Sequence, residues 1–264
     1  MSDFQNYLEL EGVNWSTLKH FYRSPAHVKA YIEQERQETD AQRKGTWQHL
    51  AILEPDVLAE RAIAMPDFGD GRTKVAKEAK AAFCAEHEGK EIIPQKTFVD
   101  LVGMSRAVWS HPDAKKLLAA VTETERPIQW NENGIKCKGL IDLVTSKGII
   151  ADLKTTDDAR PHKFSRRAAD FCYYEQAAFY LRGCSNMGLP LDQFCWIAVE
   201  SSAPYSVRVY TFRDSDRIAA QNVIDGFLAK WAYCTQCDQW PSYTEGIEAL
   251  ECPDYKLTQM EYTA

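Results

Sequence analysis

The stretch GLIDLVTSKGIIADLKTT, Gly139–Thr156, consists of two apolar, β-prone runs separated by Ser146–Gly148, a short polar turn that fits a hairpin. On a strand alternate side chains share a face, so Asp152 and Lys154 point one way while Ala151 and Leu153 point the other. Asp142 stands on the preceding strand, and cross-strand pairing through so short a turn brings its carboxylate to the same end of the sheet. Carboxylates set in apolar strands are costly to bury unless a cation or hydrogen bonds compensate. Oxygen ligands with open coordination positions suit Mg²⁺ or Mn²⁺. Spacing alone leaves two other readings open: an exposed ion pair between Asp152 and Lys154, and a turn capped by Asp142.

Working outward, ERPIQW (Glu125–Trp130), a turn at Asn131–Gly134 and IKCKGLIDLVT (Ile135–Thr145) complete a three-strand antiparallel meander with IIADLKT. A helical pattern from His162 to Arg182 follows, placing Gln176 and Tyr180 four apart on one face. Two β-like runs, FCWIAVE and YSVRVYTF, precede a last helix from Asp214 to Tyr233, and the tail from Trp240 is expected to pack irregularly over the sheet. Upstream, Asn14 caps a helix carrying Trp15, Leu18, Phe21 and Tyr22, and Ser24-Pro25 breaks it. GTWQHLAILEP (Gly45–Pro55) forms a helix that bears His49 and stops at Pro55, and residues 66–74 read as an exposed loop before a helix from Val75 to Glu88. The fold class is therefore α+β: a mixed sheet, begun by the meander, flanked by helices. The expected organisation is one domain over 1–264, with a helical part at 1–120, the core at 121–240 and a tail at 241–264.

The chain has 264 residues, 45% hydrophobic, with 13 Gly and 11 Pro, which excludes disordered and collagen-like classes. With 31 basic and 38 acidic residues the net charge is −7, so it does not coat nucleic acid through bulk positive charge. Positive charge is local instead: Arg160, His162, Lys163, Arg166 and Arg167 follow the DLK run and suit a phosphate clamp, and Arg72, Lys74, Lys77 and Lys80 form a second candidate patch. Trp15, Tyr22, Trp47 and Phe68 are candidates to stack on a DNA end, or simply core residues. No apolar run is long enough to span a membrane and the N-terminal residues lack a signal-peptide pattern, so a cytoplasmic protein is expected. Eight cysteines without an export signal read as reduced thiols, with only Cys234 and Cys237 at metal-ligand spacing. There is neither a GxGxxG nor a phosphate-binding glycine loop, which argues against a dehydrogenase or kinase.

These motifs resemble the PD-(D/E)xK nuclease superfamily in its RecB-like and RecE-like branch, the phage-type exonuclease VIII enzymes, similar to lambda exonuclease. GLID with Asp142, DLK with Asp152 and Lys154, and QAAFY with Gln176 and Tyr180 match the branch's motifs in order. Glu125 resembles the acid that begins the core, and His49 the upstream histidine. DLKTTDDA and NWSTLKHFYRSPAHVKAYIE are most similar to the RecE-like members. The resemblance implies a restriction-endonuclease-like core and metal-dependent hydrolysis of DNA phosphodiesters. It further implies Mg²⁺ (with Mn²⁺ substituting) in a two-metal site held by Asp142, Asp152, the Leu153 carbonyl and His49. Lys154 would orient the water and stabilise phosphate charge, Gln176 and Tyr180 would align it, and Glu125 would bind metal or orient a ligand. The implied substrate is double-stranded DNA ends, degraded processively 5′ to 3′ by a homo-oligomeric ring that leaves 3′ tails for a RecT-like annealing protein. Two alternatives compete: a RecB-like nuclease with an iron–sulfur cluster, which the Cys234, Cys237 and Cys252 spacing does not fit, so no cluster is expected; and a non-cutting DNA- or partner-binding module, against which the intact Asp142, Asp152 and Lys154 set argues.

Overall fold

The computed structural model describes residues 3–34, 39–243 and 245–262. In chain order the elements are α1 (Asp3–Glu9), α2 (Trp15–Leu18) running into a 3₁₀ turn (Lys19–Tyr22), α3 (Pro25–Glu33), α4 (Asp40–Leu53), α5 (Pro55–Arg61), β1 (Ala62–Met65), α6 (Lys74–Glu86), β2 (Glu91–Pro94), α7 (Gln95–Ser110) and α8 (Pro112–Ala119). The meander follows as β3 (Val121–Glu132), β4 (Ile135–Thr145) and β5 (Ile149–Thr156). Then come α9 (Pro161–Asp170), α10 (Tyr173–Asn186), β6 (Gln193–Glu200), β7 (Val207–Tyr210), α11 (Asp214–Cys237) and α12 (Asp254–Glu261).

Local chemistry sets the helix ends. Asn14 accepts from the Thr17 backbone N–H, Ser24 caps α3 with Pro25 in its first turn, and Thr39 and Gln42 form a reciprocal capping box at the start of α4. Pro55 ends α4 after Glu54 and opens α5, because it cannot donate to the preceding turn.

The main sheet has the order β3-β4-β5-β6-β7, with β5 and β6 parallel and the other neighbours antiparallel. This is a restriction-endonuclease-like arrangement, a mixed five-stranded sheet between helical layers. On one face Ile128, Trp130, Ile141, Ile150 and Trp196 pack against Ala177, Phe179 and Tyr180 of α10 and against Ile224 and Phe227 of α11. On the other, Leu143, Ala151, Leu153, Ile197 and Val199 pack against Trp47 and Ile52 of α4 and Leu101, Met104 and Val108 of α7. Gly139 is required on β4 because a Cβ there would lie 2.9 Å from the Tyr180 ring.

The meander stands as the sequence predicts, but four expectations change. The helix expected over 162–182 is two helices, since Cys172 takes a left-handed conformation (φ 58°) and turns the chain between α9 and α10. The N-terminal part is not wholly helical: β1 and β2 pair in parallel as a separate two-stranded sheet, each only 4 residues long and too short to show a period. The last helix runs on to Cys237, which places Cys234 and Cys237 one turn apart on α11. The tail does not cover the sheet. Its beginning is tied to α3 and α11, through Ala26 N–H donating to the Pro241 carbonyl and Trp240 meeting Trp231 edge-on, and from Ile247 onward its large apolar side chains are exposed. Among the described residues no helix is long and apolar enough to cross a membrane.

Candidate active site

The ladders of the meander fail at one level, and the acids stand there. Strands β4 and β5 pair only at Leu143–Ala151 and Val144–Ile150, so the next residues outward, Asp142 and Asp152, stand where pairing ends. The Asp142 carboxylate enters the gap and accepts the Leu153 backbone N–H at 3.3 Å. On β3, Glu125 falls between the pairs Thr124–Leu143 and Arg126–Ile141, opposite Asp142, and has a left-handed φ of 47°. Such a backbone is uncommon for a glutamate and costs conformational energy, which is consistent with a residue held in place for its side chain.

Asp152 and Lys154 share a face as expected, and their pair is buried rather than exposed. Lys154 Nζ donates to Asp152 Oδ1 and to Gln176 Oε1, both at 3.1 Å, and sits 2.7 Å from Asp152 Oδ2. The Oδ2 contact lacks hydrogen-bond alignment, so that buried oxygen has no donor. Gln176 Nε2 in turn donates to the Tyr180 hydroxyl at 3.2 Å. From the opposite layer, α4 delivers His49, whose Nε2 lies 3.3 Å from the Leu153 carbonyl and 3.7 Å from Asp142 Oδ2.

Electrostatics follow from this packing. Burial pushes the Asp152 carboxyl up to about 7, against the pull of Lys154. Burial also works against the Lys154 ammonium, but the carboxylates of Asp152 and Asp142 outweigh it and hold its pKa above the usual lysine value. Glu125 is raised by burial first and then by the neighbouring charge of Glu54. Burial, with Asp142 nearby, raises Tyr180 far above the normal phenol range, so it stays a neutral hydroxyl.

The donors fit a hard divalent cation: a donorless buried carboxylate oxygen, a second carboxylate, a strand carbonyl and an imidazole. Among the described residues no three His, Cys, Asp or Glu side chains already close on one point. In this arrangement Asp152 is turned onto Lys154 and His49 lies against the Leu153 carbonyl.

A cleft of about 620 Å³ opens beside these groups, lined by His49, Lys154, Thr155, Arg167 and Tyr173 and walled by α7. Of the basic residues singled out in the sequence, only Arg167 reaches it. Arg160 is tied to Asp158 at 2.6 Å, Arg72 to Asp70 at 3.2 Å and Lys74 to Glu78 at 3.7 Å, Arg167 itself stands 3.7 Å from the exposed Asp157, and Lys163 and Arg166 are exposed on α9. Trp15 and Trp47 are core residues, Phe68 packs edge-on to Phe83, and Tyr22 is half-exposed. Glu123 and Asp113 are paired elsewhere, with Arg126 and Lys116, which leaves Glu125 as the acid that faces the site.

The structure adds residues the sequence reading passed over. The Tyr173 ring lies 4.6 Å from Lys154 Nζ, Gln48 hydrogen-bonds Thr155, and Glu54, at the end of α4, accepts from Thr124 at 3.3 Å. For Tyr173 a signal was present, because positions 173, 176 and 180 lie on one helical face.

No curated protein matches the chain in sequence. A family model described as a "PDDEXK-like domain of unknown function (DUF3799)" matches residues 14–253. Among solved structures, a provisionally assigned exonuclease from Eubacterium rectale shares the fold, with a TM-score of 0.60 over 100% of this chain and 96% of that one at 15% identity. A phage-related exonuclease from Haemophilus somnus aligns over 86% of this chain and 99% of that one, at 17% identity and a TM-score of 0.34.

Proposed function

The chain belongs to the family of PDDEXK-like domains, and from that premise we propose that it is a metal-dependent nuclease, an exodeoxyribonuclease acting on the ends of linear double-stranded DNA. One observation carries the reading: Glu125, Asp142 and Asp152 stand at one level of the sheet, where its ladders fail, with a buried Lys154 fixed between Asp152 and Gln176.

In this reading Asp142, Asp152, the Leu153 carbonyl and His49 hold the metal, with Glu125 as a further ligand or an orienting neighbour. A bound Mg²⁺ or Mn²⁺ supplies water activation and screening of phosphate charge. Lys154 does the rest of the electrostatic work. Its charge is secured by two carboxylates and its position by Gln176, so it would stabilise a phosphate oxygen or orient the attacking water from a fixed place. Tyr180, neutral and hydrogen-bonded, fixes Gln176. Arg167, at the cleft wall, binds a phosphate of the substrate strand, and Lys163 and Arg166 extend that contact along α9. The finer reading is processive 5′ to 3′ degradation by a homo-oligomeric ring in the cytoplasm, leaving a 3′ tail for a RecT-like annealing partner. It rests on the motif resemblance.

The test is digestion of linear duplex labelled at the 5′ or the 3′ end, with Mg²⁺, with Mn²⁺ and with chelator. Closed circular duplex serves as a second substrate, and Asp152→Ala and Lys154→Ala as controls. Metal-dependent release from one end, absent on circles and lost in both variants, is the expected result and assigns the polarity. Cutting that survives in Asp152→Ala overturns the site, and no cutting under any condition leaves a module that binds DNA or a partner.

A further inference from the structure

The turn at Cys172 separates two concavities. Arg167 and Tyr173 face the catalytic cleft, whereas Phe171, Cys172, Tyr174 and Glu175 line a groove of about 550 Å³ on the other side of the same turn, closed by Lys19, His20, Tyr22 and Arg23. A second hollow of about 330 Å³ continues it past Tyr174 and Glu175 toward Arg213 and Val223.

The lining has the chemistry of a strand path. Lys19 and Arg23 form no ion pair among the described residues, and neither do Lys163 and Arg166 on the adjoining exposed turns of α9. They are cations without an ion-pair partner, set beside the groove's own two carboxylates, in a chain whose net charge is −7. Burial, helped by the positive field of Lys19 and Arg23, lowers the His20 pKa and leaves the ring neutral, stacked on Tyr31 at 4.2 Å. Two acids line the groove, Asp170 and Glu175, and the Glu175 carboxylate is engaged by the Tyr22 hydroxyl. That bond and an edge-on contact with Phe227 at 4.9 Å hold the Tyr22 ring still, yet half of the residue is exposed. Phe171 is equally exposed, beneath the Arg167 guanidinium at 5.0 Å. A fixed, exposed aromatic ring beside unpaired cations is the arrangement that binds single strands, by stacking bases and following phosphates.

We propose that this groove binds a single strand of nucleic acid, the segment of substrate that leaves the catalytic cleft over the turn at Cys172. The assignment rests on the nuclease reading of the cleft. Tyr22 is the stacking platform, and Lys19 and Arg23 hold phosphates. Two or three nucleotides fill the groove, and duplex is excluded because the bases must unstack to reach Tyr22.

The test is fluorescence anisotropy of a labelled oligothymidylate of about 12 nucleotides with the full chain in chelator, titrated at several salt concentrations. Lys19→Ala with Arg23→Ala should flatten the slope of log K against log salt by about 1.4, two phosphates at ~0.7 each. Tyr22→Ala should weaken binding roughly 10-fold with the slope unchanged, and Tyr22→Phe, which keeps the ring, should restore it. Unaltered affinity and slope in the variants, or no binding by the wild type, overturns the groove even if the protein cuts DNA. Binding that depends on Lys19, Arg23 and Tyr22 in a chain that cuts nothing sustains the groove and removes the nuclease reading instead.

Discussion

Replacing Lys154 by methionine should destabilise the metal-free protein by an amount that grows with pH, and the structure sets its size. In the wild type Asp152 is buried with its carboxyl raised to about 7, above the ordinary value near 4. A raised carboxyl contributes stability that is present below pH 4 and lost as the pH climbs through 7. Above 7 the loss stops, because the carboxylate ionises against the Lys154 ammonium 2.7 Å away. Methionine fills similar volume without charge, so in the variant the Asp152 carboxyl loses the cation that draws it down and is raised further, and stability goes on falling by up to about 1.4 kcal/mol per pH unit. At pH 6 both proteins carry a mostly protonated Asp152, and Lys154→Met costs the hydrogen bonds to Asp152 and Gln176 and the Tyr173 ring contact, about 1–3 kcal/mol. At pH 8 the cost is up to about 1.4 kcal/mol larger. Urea unfolding in chelator at both pH values reads this as a shift in midpoint at constant slope. A penalty that is the same at pH 6 and pH 8 refutes the argument, since Asp152 would then not be governed by Lys154.

Other perturbations test other parts of the molecule. Glu132 is held below the usual glutamate range: burial opposes this, but bonds from Arg182 at 2.6 Å, Trp130 and Asn186 outweigh it. Glu132→Gln should therefore cost about 1–3 kcal/mol at pH 7 by urea denaturation, a difference lost as the pH falls through the lowered value at which the folded carboxylate protonates. Gly103→Ala should cost about 1–3 kcal/mol, because its Cβ would stand 2.2 Å from the Tyr205 ring, which is tied to Asp100 at 2.8 Å; the cost should disappear in a Tyr205→Ala background. His49→Ala should weaken Mn²⁺ binding by titration calorimetry at least about 10-fold while leaving the unfolding midpoint in chelator little changed. Arg167→Ala should reduce the salt slope of duplex binding by about 0.9, whereas Arg160→Ala, its guanidinium engaged by Asp158, should leave the slope as it is.

What the sequence showed and what it hid divide along a physical line. The period of two in IIADLKT placed Asp152 and Lys154 on one face, and the short turn before it brought Asp142 alongside, because both facts are local. The spacing of Gln176 and Tyr180 is local too, and it survives the break at Cys172 because both lie in α10. The break itself was invisible, since a left-handed cysteine leaves no mark in the hydrophobic pattern. Glu125 is different in kind: Glu123, two positions away, would share its face on a regular strand, but Glu125 takes a left-handed backbone opposite Asp142 while Glu123 pairs with Arg126. The basic cluster misled for a related reason. A run of arginines says nothing about the acids that will meet them: Asp158, Asp70 and Glu78 engage Arg160, Arg72 and Lys74, and Arg167, which lines the cleft, stands 3.7 Å from the exposed Asp157. Lys19 and Arg23 escaped notice because they lie some 150 residues from α10, and only the packing of the 3₁₀ turn against Cys172 and Glu175 brings them to the strand path. Tertiary contact thus decides which charges are free to act, and the freedom of those two cations is what the salt titration of the groove would measure.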